Sequence, residues 1–357
     1  MHRTINAASN IYNHCIALHK RYYRMFGKHL NKNRLQKHIA KLRRKNEYWQ
    51  LVGSQAVQDI TDRIERAYQL FFKHHSKGVR PPNFRKRIKY KSFTLKQAGY
   101  KLLDGNQIKI GKRVYRFWKS TEVEGKIKTI TLKRNPLGEI FIFVVTDFVD
   151  SKITAMTGKS AGFDFGLKVF LTCSDNTEVK SPLFLKQSLK ELKLASRQHS
   201  IKKKGSNNRE KARKNLVRVH EKVTNRRTDW FWKLAHELTD KFDYLYFETL
   251  NLKGMQRLWG RKIGDLAFAE FLKILEYVAD KKGKIVTYID QWYPSSKTCH
   301  VCDYVLDELP LDTRYWVCPS CRTKHGRDSN ASKVILRVGA STLRVGDVSL
   351  SQTAISA

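Results

Sequence analysis

With 357 residues and 41% apolar side chains, the chain is long enough for two or three domains with real cores, which excludes a low-complexity or natively unfolded polypeptide. Its 70 Lys and Arg against 32 Asp and Glu leave a formal charge of +38, an excess that repels itself unless a polyanion neutralises it. Nucleic acid is the expected partner, bound with steep salt dependence. No apolar run is long enough to span a bilayer, and no basic amphipathic helix or lipidation signal favours a membrane surface. The N-terminal residues are too polar for a signal peptide, so the chain reads as a reduced, intracellular protein.

The chain opens with a helical pattern. Ala8, Ile11, Tyr12, Cys15, Leu18 and Tyr22 recur at helical spacing, and Val57, Ile60, Ile64, Ala67 and Phe71 do so after Ser54, the expected N-cap. A basic stretch, Lys37 to Arg44, lies between them, and Pro81-Pro82 ends the helical region. Strands are expected at Ser92–Lys96, Gln107–Ile110, Val114–Trp118, Ile127–Lys133 and Glu139–Thr146, the last two joined by the hairpin signal Asn135-Pro136-Leu137-Gly138. They read as one small barrel or curled sheet.

From about Ser160 the pattern changes to α/β. Ala161 to Leu167 reads as a strand and Val169 to Cys173 continues it as a hairpin. One long basic helical tract is expected from Leu183 to Arg227, carrying Lys202, Lys203, Lys204, Arg209, Arg213, Arg218, Arg226 and Arg227 as candidate phosphate contacts. Such a run is commonly a solvated face, but few acids are interspersed here. A helix at Trp230–Lys241, a strand at Tyr244–Glu248, a helix at Leu266–Lys281 and a strand at Ile285–Ile289 follow. After them come a cysteine-rich module, a helix from Asn330 to Arg337, and a loosely held tail.

Two motifs carry chemistry. Cys299-x-x-Cys302 and Cys318-x-x-Cys321, fifteen residues apart, have the spacing of a zinc ribbon: two tight turns, each offering two thiolates, closing one structural tetrahedral site. Lys297, Arg314, Arg322 and Lys324 with Tyr315 and Trp316 give this module the look of a nucleic-acid contact. Cys15 and Cys173 are left as small buried side chains. The second motif is a set of three acids: Asp164 in one strand, Glu248 at the end of a later one, and Asp328 at the start of the last helix. Each alone reads as a strand-end residue or a cap. Together they match the RNase H-like plan, in which carboxylates from neighbouring strands and one helix converge and hold two Mg²⁺ (or Mn²⁺) for phosphodiester hydrolysis. Thr157-Gly158-Lys159-Ser160 imitates the end of a phosphate-binding loop, but it precedes a strand and Ile153 occupies the position of the first glycine.

The segments Gly162-Phe163-Asp164-Phe165-Gly166-Leu167, Phe247-Glu248-Thr249-Leu250-Asn251-Leu252-Lys253-Gly254-Met255, Tyr293-Pro294-Ser295-Ser296-Lys297-Thr298-Cys299 and Arg327-Asp328-Ser329-Asn330-Ala331 resemble the TnpB family, transposon-encoded relatives of type V CRISPR effectors. The resemblance runs from about residue 54 to the tail. It implies an α/β plus β architecture: a helical recognition domain (1–80), a β-barrel wedge domain (81–155), and a RuvC nuclease domain of RNase H-like fold. The nuclease domain would comprise 156–297, with the basic tract 183–227, and a last helix at 322–340. Into it is inserted a zinc-ribbon target-strand module (298–321), and a flexible tail (341–357) follows. It further implies an RNA-guided DNA endonuclease of the prokaryotic cytoplasm, associated with the nucleoid, whose partners are a guide RNA and double-stranded target DNA and which reads a short adjacent motif. Asp164, Glu248 and Asp328 would be the catalytic, Mg²⁺-binding triad, and the four cysteines would hold one Zn²⁺. The chain departs from the family at two places: it opens into a helix where members begin with a barrel strand, and Gly326 stands where an acid is common. Guide-directed binding without cleavage is an alternative that all three acids argue against; strand transfer on the same fold is another, disfavoured by the inserted ribbon.

Overall fold

The structure is a computed structural model that describes residues 1–148, 154–310 and 312–350, the side chains at 253 and 343–350 excepted. It divides into two compact units, Met1–Val149 and Asp150–Ala357.

The first unit begins with α1 (His2–Phe26), α2 (Lys32–Lys45), a single turn α3 (Glu47–Gln50) and α4 (Ser54–His74). α1 buries Ile5, Ala8, Ile11, Tyr12, Cys15 and Ile16 along one stripe and ends at Gly27 in a left-handed cap. The basic stretch 37–44 is part of α2, whose Leu35 and Ile39 are buried while its cations stay outside. Gly53, not Ser54, is the N-cap of α4, and no side chain caps it. The strands are β1 (Ser92–Leu95), β2 (Tyr100–Leu103), β3 (Gln107–Ile110), β4 (Arg113–Arg116), β5 (Ile127–Arg134) and β6 (Ile140–Thr146). They form two three-stranded antiparallel sheets, β1-β5-β6 and β2-β3-β4. Among the described residues no ladder joins the two, where the sequence reading expected one small barrel or curled sheet. Tight turns explain the second sheet, since Gly105, Asn106 and Gly111 all take positive φ and close its hairpins within a few residues. A core of α1 and α4 side chains with Phe93, Leu95, Ile108, Ile130 and Leu132 holds the unit together.

The second unit contains β7 (Ser160–Phe165), β8 (Leu171–Cys173), β9 (Glu178–Val179), α5 (Phe184–Ser200), α6 (Asn207–Lys241), β10 (Tyr244–Glu248), α7 (Leu252–Leu266), α8 (Phe268–Lys282), β11 (Ile285–Ile289), β12 (Tyr315–Val317), β13 (Lys324–Gly326) and α9 (Arg327–Leu350). The expected tract 183–227 is not one helix. Gly205 (φ +85°) and Ser206, whose hydroxyl accepts the Arg209 N–H, break it, and α6 then runs without interruption through 228–229 to Lys241. α9 takes in residues 341–350 of the expected tail, and residues 351–357 lie outside the described residues.

Five strands make one sheet in the order β11-β10-β7-β8-β9. β10 runs parallel to both β7 and β11, and β8 and β9 extend the sheet antiparallel. Alternation along the strands assigns the two faces. Ala161, Phe163, Phe165, Leu245 and Phe247 point to a core shared with Phe231 and Leu234 of α6 and Phe271 and Leu275 of α8. Gly162 and Tyr246 face the other way, against α9. A Cβ on Gly162 would lie 2.2 Å from the Ser332 carbonyl, and one on Gly339 would lie 2.3 Å from the Tyr246 ring. At the opposite end of the strands from the acids, Lys284 and Asp243 form a fully buried ion pair at 2.7 Å. Asp243 also accepts the Gly158 N–H at 2.6 Å, so the loop that imitates a phosphate cradle is filled by the protein's own carboxylate.

Candidate active site and metal centres

Because Phe163 and Phe165 face the α6/α8 core, Asp164 between them must face α9; the same alternation in β10 sends Glu248 to that face. Register then brings them together. Phe247 of β10 is paired with Phe163 of parallel β7, so the next residue in each strand, Glu248 and Asp164, occupies neighbouring positions at the carboxyl end of the sheet. α9 packs over this face and starts at Arg327, which puts Asp328 in its first turn. The three acids therefore come from two adjacent strands and one helix N-terminus.

Electrostatics record the convergence. Burial first, then the charges of Glu248 and Asp328, push the Asp164 carboxyl well above its ordinary value, and Arg327 only partly offsets them. Burial raises Glu248 as well, opposed by a hydrogen bond from the Ser295 hydroxyl to its Oε2 at 3.1 Å. Asp328 faces Arg314 at 3.4 Å. Asp164 thus feels both of the other carboxylates and is the centre of the group. Hard oxygen donors that repel one another suit a divalent cation such as Mg²⁺ or Mn²⁺. Among the described residues, the ligand atoms of Cys299, Cys302, Cys318 and Cys321 lie within 4.8 Å of one another.

Those four cysteines meet as their spacing implies. Sγ of Cys299 lies 3.6 Å from that of Cys321, and Sγ of Cys302 lies 3.5 Å from that of Cys318. A tetrahedron with zinc–sulfur bonds of about 2.3 Å needs sulfurs about 3.8 Å apart, so the donor set fits one Zn²⁺. His325, buried on β13, places Nε2 3.1 Å from Cys299 Sγ. An N–H donated there steadies a thiolate, as outer partners of metal ligands do. Sequence reasoning missed this histidine, although it follows the second cysteine pair closely. Trp316 differs from expectation. Alternation along β12 turns it inward, its ring 4.5 Å from that of His325, and leaves Tyr315 82% exposed. Lys297 donates to the Asp307 carbonyl at 2.6 Å, so its ammonium is engaged within the module.

The basic candidates divide into two sets. Lys202, Lys203 and Lys204 sit exposed in the connection between α5 and α6, and Arg218 is exposed on α6. Arg226, also exposed, lies over the Phe184 ring at 5.0 Å. The others have internal partners. Arg209 donates to the Lys202 carbonyl, Arg213 pairs with Glu210, and Arg227 bridges Glu270 and the Gly264 carbonyl. Cys15 and Cys173 are both buried, and burial pushes the Cys15 thiol up to about 12. Among the described residues no helix is long and apolar enough to cross a membrane.

Residues 143–258 match the family model OrfB_IS605, described as a probable transposase, and residues 268–335 match the Cas12f1-like TNB domain. A Streptomyces pristinaespiralis protein, provisionally named an RNA-guided DNA endonuclease, is 30% identical over 299 residues, 83% of this chain and 74% of that protein. A Mycobacterium tuberculosis protein with the same provisional name is 29% identical over 237 residues, and the match spans about half of its length (51%). A chain from a cryo-EM structure of the Cas12f1-sgRNA-target DNA complex has a similar fold, with a TM-score of 0.57 at 14% identity, covering 94% of this chain and 81% of that one. Fold, ribbon and family models together define a protein of the OrfB and Cas12f1-like class. Within that class, the chain belongs to the TnpB family.

Proposed function

We propose that this protein is an RNA-guided DNA endonuclease whose second unit is a RuvC-type, RNase H-like nuclease with Asp164, Glu248 and Asp328 as its catalytic carboxylates. The observation that carries the reading is the register of β7 on β10, which makes Asp164 and Glu248 neighbours on the face where α9 delivers Asp328. The mutual repulsion recorded at Asp164 is a cost that a folded protein keeps when a cation is to be bound there. When bound, a pair of Mg²⁺ or Mn²⁺ ions would supply charge stabilisation for the attacking and leaving oxygens of a phosphodiester. Asp164, which feels the charges of both other acids, would hold the cations together with Glu248 and Asp328. Ser295 aims Glu248, and Arg314 steadies Asp328.

The remaining assignments follow from the family. The helices of residues 1–80 would form the recognition domain, and the two small sheets within 81–155 would serve as the wedge that holds a transposon-derived guide RNA and reads a short adjacent motif. Residues 156–297 and 322–340 would form the nuclease, with the ribbon 298–321 inserted and holding one structural Zn²⁺. Lys202, Lys203 and Lys204, exposed in the connection between α5 and α6, and Arg218 and Arg226, exposed on α6, are the cations of the basic tract suited to the guide–target heteroduplex. With DNA as its substrate, the protein would act at the nucleoid. The test is to express the protein beside its own flanking DNA and sequence the RNA that co-purifies. One discrete species with a fixed scaffold and a variable end supports the reading. A heterogeneous mixture of cellular RNA, released by salt, would refute guide binding.

A further inference from the structure

Asn330 lies in the first turn of α9, two residues after Asp328, and is 1% exposed. Its side-chain amide does not cap the helix. Nδ2 donates to the Thr298 carbonyl at 2.7 Å, and Oδ1 accepts the His300 N–H at 3.0 Å while lying 3.0 Å from His300 Nδ1. Thr298 and His300 flank Cys299, so one amide grips both sides of the first cysteine turn. The other side of that turn is fastened to Glu248. Thr298 N–H and Oγ1 both donate to the Pro294 carbonyl, and the adjacent Ser295, 3% exposed, hydrogen-bonds Glu248. A third tie runs from Arg314, the residue before β12, whose carbonyl accepts the Arg327 N–H at 2.8 Å and whose guanidinium faces Asp328. Two of the three acids are thus attached to the ribbon: Glu248 through the buried Ser295, and Asp328 through the buried Asn330 of the same helical turn and an exposed contact with Arg314.

We propose that Asn330 is a positioning residue that couples the cysteine ribbon to the acid centre: an ordered Cys299 turn sets the first turn of α9, and with it Asp328, in register with Glu248. The proposal rests on the nuclease reading above and deepens it. A satisfied buried amide is a stiff connector, because moving either side leaves polar groups unpaired away from water. Coupling between two sites is reciprocal, so order at the ribbon tightens divalent-cation binding at the acids, and a cation at the acids tightens the ribbon's hold on zinc.

The test uses the full-length protein with its co-purified RNA and reads zinc transfer to a chromogenic chelator, with and without saturating Mg²⁺. Mg²⁺ should slow zinc release from the wild type by on the order of tenfold, within the usual range of coupling between sites. Asn330→Ala should abolish that effect and raise the Mg²⁺ concentration for half-maximal cleavage by a similar factor. Asn330→Asp keeps the acceptor for His300 but sets a carboxylate oxygen against the Thr298 carbonyl, so it too should weaken the Mg²⁺ effect and raise the Mg²⁺ requirement. It also guards against a failure of the alanine variant to fold, which circular dichroism would reveal. Wild-type cleavage that depends on Mg²⁺, with zinc release indifferent to Mg²⁺ and an unchanged Mg²⁺ requirement in Asn330→Asp, would overturn the coupling alone. No Mg²⁺-dependent cleavage in the wild type, and identical zinc release in wild type and Asp164→Asn, would overturn the nuclease reading and the coupling with it.

Discussion

Asp164 is the residue where fold and function pull in opposite directions. Its carboxyl is raised by burial and by two neighbouring acids, so the folded chain holds a proton there more tightly than the unfolded chain does. Linkage then fixes the sign: with chelator present, this group's contribution to stability is full at acid pH and is lost as pH rises through the raised value. Asp164→Asn removes that repulsion. It should raise the melting temperature at pH 8 in chelator, with a gain that shrinks towards pH 4, and Mg²⁺ should stabilise the wild type but not the variant. Differential scanning calorimetry at the two pH values decides it, and a variant less stable than wild type at pH 8 would contradict the electrostatic account. Asp243 shows the contrary case. Burial pushes its carboxyl up, but hydrogen bonds from Lys284 and from the Thr157–Gly158 backbone outweigh burial and bring it from 3.8 to about 2. Its contribution is present above the ordinary value and is lost as pH falls through about 2.

At the scale of elements, the acid end of the sheet depends on what holds its other parts. Lys284 and Asp243 tie the start of β11 to the start of β10 and to the loop before β7, with Lys284 also donating to the Ala155 carbonyl at 2.8 Å. Lys284→Met leaves Asp243 buried without its cation and should cost about 3–5 kcal/mol, read by urea denaturation. A loss below about 1 kcal/mol would mean water reaches the pair. On the α9 face, Gly162 is required by close approach. A methyl there meets backbone atoms of Ser332 and Leu336 at 2.2 and 2.4 Å, and neither can rotate away. Gly162→Ala should therefore destabilise by about 3 kcal/mol, at the upper end of overpacking costs, and reduce cleavage by shifting the first turn of α9. Wild-type stability in that variant would show that α9 sits less tightly on β7 than described.

Across the whole molecule, short-range signals were legible and long-range ones were not. Two cysteine pairs at ribbon spacing imply a site whatever surrounds them, and the four sulfurs do meet. The alternation around Asp164 was visible too, since Phe163 and Phe165 cannot share its face. The register that makes Glu248 its neighbour pairs positions 84 residues apart, such as Phe247 with Phe163, and leaves no mark in either segment. β1 likewise pairs with β5 past the intervening β2-β3-β4 hairpins, so strand spacing alone, which suggests one small barrel or curled sheet, does not reveal the two ladders. α7 escaped notice because Gly254, Gly260 and Gly264 dilute its helical pattern, and tertiary packing overrides that weak propensity. The role of Asn330 was hidden for a related reason: an asparagine near a helix start reads as a cap, and only the folded chain shows the amide turned to Thr298 and His300.

The most direct test of the central claim is cleavage of a duplex carrying the guide-complementary sequence by the purified protein–RNA complex, wild type against Asp164→Asn, with Mg²⁺ or with chelator. The account predicts cutting by the wild type only with the divalent cation. In the variant the rate should fall by on the order of 10³-fold, equivalent to about 4 kcal/mol of barrier, with RNA and DNA binding retained. Cutting that survives in Asp164→Asn, or in chelator, would contradict it.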